Sequence, residues 1–328
     1  MAARVTHAAD SPRTALPPQT PWSGLLLVDK PTSVTSHDVV ALARRSLRIR
    51  GIGHLGTLDP NASGLLVLAV GVATRCATVW QGGGKRYAGT ARFGLTTDSQ
   101  DTTGSTLTTS EARPTESAIR AAADALTGDL HQIPPMVSAL RQGGERLYDI
   151  ARRGETVERA ARPVRVDAWR WSAFTQDTAS FEVDCSGGTY VRTLVHDLGT
   201  ALGCGAALDA LRRLQSLPFE VADACTIDAL RNESADELLA RAGLPLDRAL
   251  DPLPEIGLDA AQAHAIGMGQ APRVEPGDGP IAAGVRTVVL RDATGRALAL
   301  AHLEIGVKGV QAWPDVVFPW AVREGKST

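Results

Sequence analysis

The chain has 328 residues, of which 44% are hydrophobic and 21% are charged, and its formal net charge at pH 7 is −2. This composition is typical of globular proteins and excludes a disordered or fibrous chain. At roughly 100–200 residues per domain, the length predicts two domains rather than one small module. The longest apolar runs, such as residues 64–72, are far shorter than the roughly 18 residues of a membrane-spanning helix, so the sequence predicts no membrane association.

The N-terminal segment and the cysteines indicate the cellular compartment in which the protein works. Residues 1–23 contain two arginines and four prolines but no apolar block of the kind that a signal peptide requires, so we expect a disordered tail. The four cysteines, at positions 76, 185, 204 and 225, show no Cys-x-x-Cys spacing. They favour neither a structural zinc site nor a secreted disulfide scaffold, and the sequence predicts a protein of the reduced cytoplasm.

Charge is distributed unevenly along the chain. Residues 24–110 contain nine basic and five acidic side chains, and residues 139–170 contain eight basic and five acidic ones. Residues 223–262 carry nine acidic side chains and three arginines, which masks the two basic zones in the net charge. Only four of the 34 basic residues are lysine, and arginine is the better bidentate ligand for phosphate. Two interpretations stay open: a nucleic-acid surface, or ordinary solvated charge.

The first half of the chain alternates predicted strands and helices. Residues 24–29 form an apolar run that ends at a Lys-Pro pair, as a buried strand does. Ser36 is predicted to cap a helix, and residues 51–64 are glycine-rich and predict a loop. Further predictions are strands at 65–70 and 87–93 and a helix at 116–127.

The second half begins with residues 130–165, which mix proline, glycine and arginine and predict a long excursion. A strand is predicted at 181–185 and a helix at 189–202, with a glycine pair between them that leaves N–H groups free for an anion. Two apolar runs around the turn at 292–295 predict a β-hairpin. We therefore expect a first domain at 24–250, a small β-rich domain at 255–322 and a tail at 323–328.

One glycine-rich stretch has two familiar interpretations. Residues 51–56 match the Gly-x-Gly-x-x-Gly string of a dinucleotide-binding turn, but a helix precedes them and Pro60 falls where a helix should open. What remains is one carboxylate, Asp59, displayed among glycines that would let a planar ligand approach the backbone. An aspartate before a proline is more often a simple turn residue, and both interpretations stay open.

Residues 53–64, Gly-His-Leu-Gly-Thr-Leu-Asp-Pro-Asn-Ala-Ser-Gly, resemble the catalytic motif of the bacterial tRNA pseudouridine synthase B family. Four further segments resemble other motifs of that family and follow in the family's order: residues 27–36, 85–104, 132–154 and 185–199. The sequence departs from the family's usual residues at Leu55, Asn61, Val137 and Arg141.

The resemblance implies an α/β (α+β) pseudouridine-synthase fold, with a mixed, largely antiparallel sheet flanked by helices and a PUA-like C-terminal domain. It implies that uridine 55 in the T-arm loop of tRNA is flipped out and isomerised to pseudouridine, without cofactor or metal. Asp59 is then the nucleophile, Tyr87 stacks on the flipped base and removes a proton, and Arg192 pairs with Asp59. The expected substrate contacts are His54, Tyr190, Lys30, Arg75, Lys85, Arg86, Asp101, Arg141, Arg146, Arg152 and Arg153.

These residue types suit that chemistry. A stacked base excludes water and disfavours an ionised carboxylate, which a nearby cation counteracts. Extruding a stacked uridine costs a few kcal/mol, and stacking on an aromatic ring returns about 1–3 kcal/mol. Whether Asp59 attacks C6 of the base or C1′ of the ribose is open at this point.

The expected partner is tRNA, bound by a monomer that needs no protein partner. Two other functions stay open. The protein could be an RNA-binding tRNA folding factor whose catalysis is secondary. It could also be a guide-RNA-dependent synthase subunit, which the predicted RNA contacts of residues 130–165 disfavour.

Overall fold

A computed structural model describes residues 22–138, 141–143, 145–146, 150, 153, 155, 157–275, 287–307 and 309–324. The chain forms two compact units. Among the described residues, the larger unit contains 26–69 and 77–243, and the smaller contains 244–324 together with 22–25 and 70–76. No helix in this part of the chain is long and apolar enough to cross a membrane.

The larger unit contains strands and helices in an interleaved order. Its strands are β1 (Gly24–Lys30), β2 (Ile52–His54), β3 (Ala62–Val70), β4 (Lys85–Phe93), β5 (Leu95–Thr97), β6 (Thr106–Thr109), β7 (Gly128–Gln132), β8 (Arg141–Gln142), β9 (Glu145–Arg146), β10 (Arg162–Ser172), β11 (Thr178–Cys185), β12 (Ala206–Ser216), β13 (Phe219–Glu220) and β14 (Cys225–Thr226). Its helices are α1 (Ser36–Leu47), α2 (Ala77–Gln81), α3 (Glu116–Ala125), α4 (Val191–Ala201), α5 (Ile227–Asn232) and α6 (Ala235–Ala242).

One large sheet organises this unit, with the strand order β14-β1-β3-β12-β4-β11-β10-β7. The run from β12 to β7 is antiparallel, whereas β12 is parallel to β3 and β14 is parallel to β1. The predicted mixed, largely antiparallel sheet is therefore confirmed. Strands β1 and β3 are buried along nearly their whole length, as expected of continuous apolar runs in the middle of a sheet.

Several element boundaries differ from the predictions. Helix α1 is capped by Thr35 and not by Ser36, because the Thr35 hydroxyl accepts from the Asp38 N–H while the Asp38 carboxylate accepts from the Thr35 N–H. The predicted loop at 51–64 contains β2 and the start of β3. Helix α4 begins at Val191, two residues later than predicted.

Strand β12 was not predicted at all. It contains neighbouring arginines, Arg212 and Arg213, and lacks the strict alternation that marks a half-buried strand. It nevertheless pairs with β3 on one side and β4 on the other. Arg212 pairs with Asp29 of β1, and Arg213 donates to backbone carbonyls of the segment around Asp59 and of β3. Only the folded chain brings these partners to β12.

The smaller unit is built on a five-stranded sheet. Its elements are β15 (Gly243–Pro245), α7 (Leu246–Ala249), β16 (Glu255–Gly257), α8 (Ala260–Gly267), β17 (Arg273–Val274), β18 (Val288–Arg291), β19 (Ala297–Gly306), β20 (Gly309–Val317) and α9 (Pro319–Glu324). The strand order is β16-β18-β19-β20-β17. The predicted hairpin is confirmed, since β18 and β19 pair antiparallel and the Gly295 N–H donates to the Asp292 carbonyl at 2.9 Å.

The N-terminal tail was predicted to include residues 22 and 23, and this is wrong. Ser23 is only 2% exposed, and its hydroxyl accepts from the Val72 N–H at 3.1 Å within the smaller unit. Ser23 therefore belongs to the packed part of the smaller unit. The other residues assigned to that tail, 1–21, and residues 325–328 of the C-terminal tail lie outside the described residues.

Candidate active site

Asp59 lies in the segment that joins β2 to β3, and the residue before it is fastened to helix α1. The Ser36 hydroxyl donates to the Leu58 carbonyl at 3.0 Å and accepts from the Leu58 N–H at 2.9 Å. Ser36 is 3% exposed. The serine predicted to cap the helix therefore holds the loop instead, which fixes the backbone next to the carboxylate.

Lys30 holds the other end of this loop. Its side chain is fully buried, and its ammonium donates to the carbonyls of Pro31, Val34 and Pro60 at 2.8, 2.7 and 3.3 Å. Burial lowers the pKa of Lys30 to about 8, and the charge of Asp59 opposes this effect. The sequence predicted that Lys30 contacts substrate, but the structure gives its ammonium three backbone partners and no solvent exposure.

Arg213 on β12 holds the middle of the loop. It is 3% exposed, and it donates to the carbonyls of Leu65 and Gly56 at 2.7 and 3.1 Å. Arg213 also lies opposite Tyr87 on the paired strands β12 and β4, and its positive charge lowers the pKa of the Tyr87 phenol, against the larger effect of burial. One arginine thus holds the loop that carries Asp59 and lies opposite the aromatic residue on β4.

One glycine of this loop, Gly64, has a different purpose from the predicted one. Gly64 has a φ of +99°, and a Cβ atom there would lie 2.2 Å from the Arg213 carbonyl oxygen. The space is therefore filled by the backbone of β12 and not by a ligand. A Cβ atom on Gly53 would meet nothing within 4 Å.

The structure brings Asp59 and Arg192 into an ion pair. Arg192 Nε lies 2.9 Å from Asp59 Oδ2, and the two side chains are 5% and 43% exposed, respectively. Arg192 also donates to the Ser99 carbonyl at 2.7 Å and the Val137 carbonyl at 2.8 Å. The buried guanidinium is therefore fixed by backbone contacts on two segments, while the carboxylate it holds is open to solvent.

Asp101 supports the same arginine from a tight turn. Its Oδ2 atom lies 3.7 Å from Arg192, while its Oδ1 atom accepts from the Ser99 hydroxyl and the Thr103 N–H. Within this turn Gln100 has a φ of +65°, and its side-chain oxygen accepts from the Thr193 hydroxyl at 2.7 Å. Asp101 and Gln100 therefore hold this turn against Arg192 and Thr193 in the first turn of α4.

The start of helix α4 is clamped by Gln132 of β7. The Gln132 amide accepts from the Tyr190 N–H at 2.7 Å and donates to the Tyr190 carbonyl at 3.1 Å. The N–H groups ahead of this helix were predicted to be free for an anion. Two of them have internal partners instead, because the Thr189 N–H donates to the Ser186 carbonyl at 3.4 Å.

A cleft of about 360 Å³ opens over these groups. It is lined by Asp59, Lys85, Tyr87, Tyr190, Arg192, Arg213 and neighbouring residues of the same unit. Its volume lies at the low end of the range for small-molecule sites, which suits one nucleoside rather than a helix or peptide. The predicted nucleophile, aromatic residue and cation thus share one cavity.

Comparison with known proteins identifies the family of this chain. Residues 44–191 match the family described as TruB family pseudouridylate synthase, N-terminal domain, and residues 192–253 match the tRNA pseudouridylate synthase B C-terminal domain. The tRNA pseudouridine synthase B of Opitutus terrae is 49% identical over 65% of this chain and 89% of its own length. The chain belongs to the TruB family. The prediction that it is a pseudouridine synthase, and therefore an isomerase, is confirmed.

Two further comparisons extend over more of this TruB-family chain. The tRNA pseudouridine synthase B of Aromatoleum aromaticum is 45% identical over 75% of this chain and 80% of its own length. A chain in the crystal structure of a Cbf5-Nop10-Gar1 complex has a TM-score of 0.69 at 24% identity, covering 95% of this chain and 91% of that chain. The latter likeness confirms the predicted fold.

Burial governs the protonation of the aromatic residue in this TruB-family site. Tyr87 is 8% exposed, and burial raises the pKa of its phenol above the ordinary value of 10. The hydroxyl is therefore neutral at physiological pH. Burial likewise raises the pKa of Tyr190, which lines the cleft beside it.

The other predicted contacts lie in varied surroundings. His54 on β2 is half-buried, its Nδ1 atom has no hydrogen-bond partner among the described residues, and burial lowers its pKa, so its ring is neutral at pH 7. Arg75 belongs to the smaller unit, is exposed, and donates to the Val317 carbonyl. Arg86 pairs with Asp184 at 2.6 Å.

The predicted arginines of the 130–165 segment are only partly described. Arg153 forms ion pairs with Glu145 and Glu155, so part of the predicted basic surplus is neutralised locally. Arg141 and Arg146 lie on the paired strands β8 and β9, and their side chains are outside the described set, as is all of Arg152. Within the described residues, no group of three or more His, Cys, Asp or Glu side chains is arranged to hold a metal ion.

Sequence reasoning missed Arg213 and the functions of Gln132 and Ser36. Arg213 had no candidate role because β12 itself was not predicted. Gln132 and Ser36 lie in segments that resemble family motifs, but a side chain that binds backbone groups leaves no sequence pattern of its own. The available sequence signal for such a residue is a charged side chain, here Arg213, inside a segment that also contains buried apolar residues.

Proposed function

We propose that this protein isomerises uridine 55 in the T-arm loop of tRNA to pseudouridine, with Asp59 as the nucleophile. The observation that carries this proposal is the ion pair between Asp59 and Arg192 at 2.9 Å on the wall of a nucleoside-sized cleft. The choice of tRNA is supported by its curated relatives, which are tRNA pseudouridine synthases.

The cleft requires a flipped substrate. Asp59 lies on the short loop that joins β2 to β3, which Ser36 of α1 and Arg213 of β12 hold in place, so it cannot reach into the stacked bases of a folded tRNA loop. The uridine must leave its stack and enter the cleft, at a cost of a few kcal/mol. The neutral ring of His54, which lies on β2 beside this loop, fills the space that the base leaves.

Asp59 attacks as a carboxylate, and the Arg192 guanidinium balances its charge after the base has excluded water. The buried guanidinium cannot turn away, because the Ser99 and Val137 carbonyls fix it. The positive charge of Arg192 is therefore already beside Asp59 before the reaction, and the site need not rearrange during it. A covalent step of this kind divides one difficult rearrangement into easier ones, by attack at either C1′ or C6.

Tyr87 stacks on the flipped uracil, and Arg213 lies opposite it on the paired strand β12. Because burial raises the pKa of the phenol, proton removal by Tyr87 requires the positive charge of Arg213 to stabilise the phenolate. The residue therefore combines stacking with acid–base chemistry.

We expect Tyr87→Phe to retain tRNA affinity, because the ring survives, and to lose turnover at least tenfold, because the hydroxyl is absent. Tyr87→Leu should lose affinity as well, since base stacking on an aromatic ring contributes about 1–3 kcal/mol. Dissociation constants and single-turnover rates for both variants are the measurement. Wild-type rates in both would remove Tyr87 from the mechanism.

The surfaces around the cleft then bind the rest of the T-arm. We assign residues 24–250 to a catalytic domain, with the 130–165 segment and Arg86 contacting RNA, and residues 255–322 to a PUA-like RNA-binding domain. The two compact units and the five-stranded sheet of the smaller one support this division. The protein acts as a cytoplasmic monomer, with no guide RNA, protein partner, cofactor or metal.

The direct test is to map pseudouridine in an unmodified tRNA transcript after incubation with the purified protein alone. We expect one modified position, uridine 55. Modification elsewhere would contradict the proposed target. Activity that appears only with an added guide RNA or protein would contradict a stand-alone enzyme.

A further inference from the structure

Lys85 is a buried cation on the cleft wall that the reaction described above does not use. Its side chain is 7% exposed and lines the cleft with Tyr87. The two residues lie two positions apart on β4, so both side chains project from the same face of the strand. Burying an ammonium group is costly unless it has partners, so its place beside the substrate site needs a reason.

Lys85 is the charged lining residue that retains N–H donors for a ligand, because Arg192 and Arg213 are held by partners within the protein. Arg192 is paired with Asp59, and Arg213 donates to the carbonyls of Gly56 and Leu65. The Lys85 ammonium has three N–H donors, one of which donates to the Gly83 carbonyl at 2.8 Å. Among the lining residues Asp59 is the only acid, against Lys85, Arg192 and Arg213, so the cleft favours an anion.

Lys85 is charged at physiological pH. Burial lowers its pKa from 10.5 to about 8, and Arg213 on β12 acts in the same direction, whereas Cys185 on β11 opposes it. These two groups face Lys85 from the strands that pair with β4, and Tyr87 is its neighbour on β4 itself. The ammonium form therefore predominates at pH 7 and is lost as the pH rises through about 8.

Isomerisation places negative charge on the uracil by either route. If Asp59 attacks C1′, the C1′–N1 bond breaks and its electron pair leaves with the uracil. The negative charge of the uracil then spreads over N1 and the carbonyl oxygens. If Asp59 adds to C6, the C5–C6 π pair moves toward C4 and forms an enolate oxygen. In both routes a C1′–C5 bond finally replaces C1′–N1, the C5 proton leaves to a base, N1 takes up a proton, and Asp59 is released.

We propose that Lys85 is a further catalytic residue, whose ammonium hydrogen-bonds a carbonyl oxygen of the flipped uracil and stabilises the anionic uracil. This rests on the proposed function, because it requires the base to enter the cleft. The position of Lys85 beside Tyr87, the residue proposed to stack on the base, favours the uracil over a phosphate. A buried donor of this kind acts strongly, because the surrounding medium screens it little.

Single-turnover release of tritium from a tRNA transcript labelled at C5 of uridine tests this inference. We expect Lys85→Met to slow the step at least 30-fold at pH 7 while the dissociation constant for tRNA changes less than threefold. Lys85→Arg should keep part of the rate because it keeps a cation. The wild-type rate should fall above about pH 8, whereas the slow Lys85→Met rate should lack that decline.

The matched control is Arg170→Met, which removes an exposed arginine that pairs with Asp184 outside the cleft and should leave the rate unchanged. A Lys85→Met rate within threefold of wild type would overturn the inference. An affinity loss equal to the rate loss would instead make Lys85 a phosphate contact.

Should Lys85→Met fail to fold, the rate of Lys85→Gln and the pH profile of the wild-type rate decide the question. Tritium release reports any uridine, so a wrong target position would not obscure the comparison.

Discussion

Asp59→Asn should reduce turnover at least 1,000-fold, which corresponds to about 4 kcal/mol of transition-state stabilisation. The amide has nearly the shape of the carboxylate and still accepts from Arg192, but it lacks the charge and nucleophilicity of the reaction. Affinity for tRNA and the thermal unfolding temperature should stay near wild type, because Asp59 is 43% exposed and the amide oxygen still accepts from Arg192.

The structure provides a matched control for this experiment. Asp29 pairs with Arg212 through two contacts of 3.0 and 2.7 Å, and neither residue lines the cleft. Asp29→Asn therefore removes a comparable ion pair and should retain wild-type turnover. Asp59→Asn turnover within tenfold of wild type, a difference of about 1.4 kcal/mol, would show that another group is the nucleophile.

Arg192→Met should lose turnover at least 100-fold, and it should also lower stability. The substitution leaves Asp59 without its cation and leaves the Ser99 and Val137 carbonyls without their donor. Removing one partner of a buried ion pair costs about 3–5 kcal/mol, and the part-exposed Asp59 places this case toward the lower end. Urea unfolding gives the stability change, and single-turnover rates at a temperature where the variant is folded give the catalytic one.

Arg192→Lys separates charge from geometry. Lysine supplies a cation but has no planar fork, so it cannot serve Asp59 and both carbonyls together. We expect a rate between those of wild type and Arg192→Met. Arg212→Met is the control, since it removes a paired arginine that is 40% exposed and should affect neither property strongly. Full activity in Arg192→Lys would mean that charge alone suffices and that the backbone contacts are incidental.

Local patterns in the sequence determined much of the scaffold. The buried strands β1 and β3, helices α1 and α3, and the hairpin of β18 and β19 all follow from apolar runs, helical spacing and turn residues, which depend on neighbours along the chain. The glycine-rich loop made Asp59 a candidate only among alternatives. The resemblance of five ordered motifs to one family then named the reaction.

Only the tertiary structure decided how the site is held. Strand β12 escaped prediction because its two arginines obscure the strand pattern, and their partners come from β1, from β3 and from the loop that carries Asp59. Lys30 and Lys85 are both lysines that the sequence assigned to substrate contact. Folding buries the first against three carbonyls and turns the second into the cleft, because burial depends on contacts between residues far apart in the chain. Sequence thus determined which residues carry charge, and packing determined which of those charges lines the cleft.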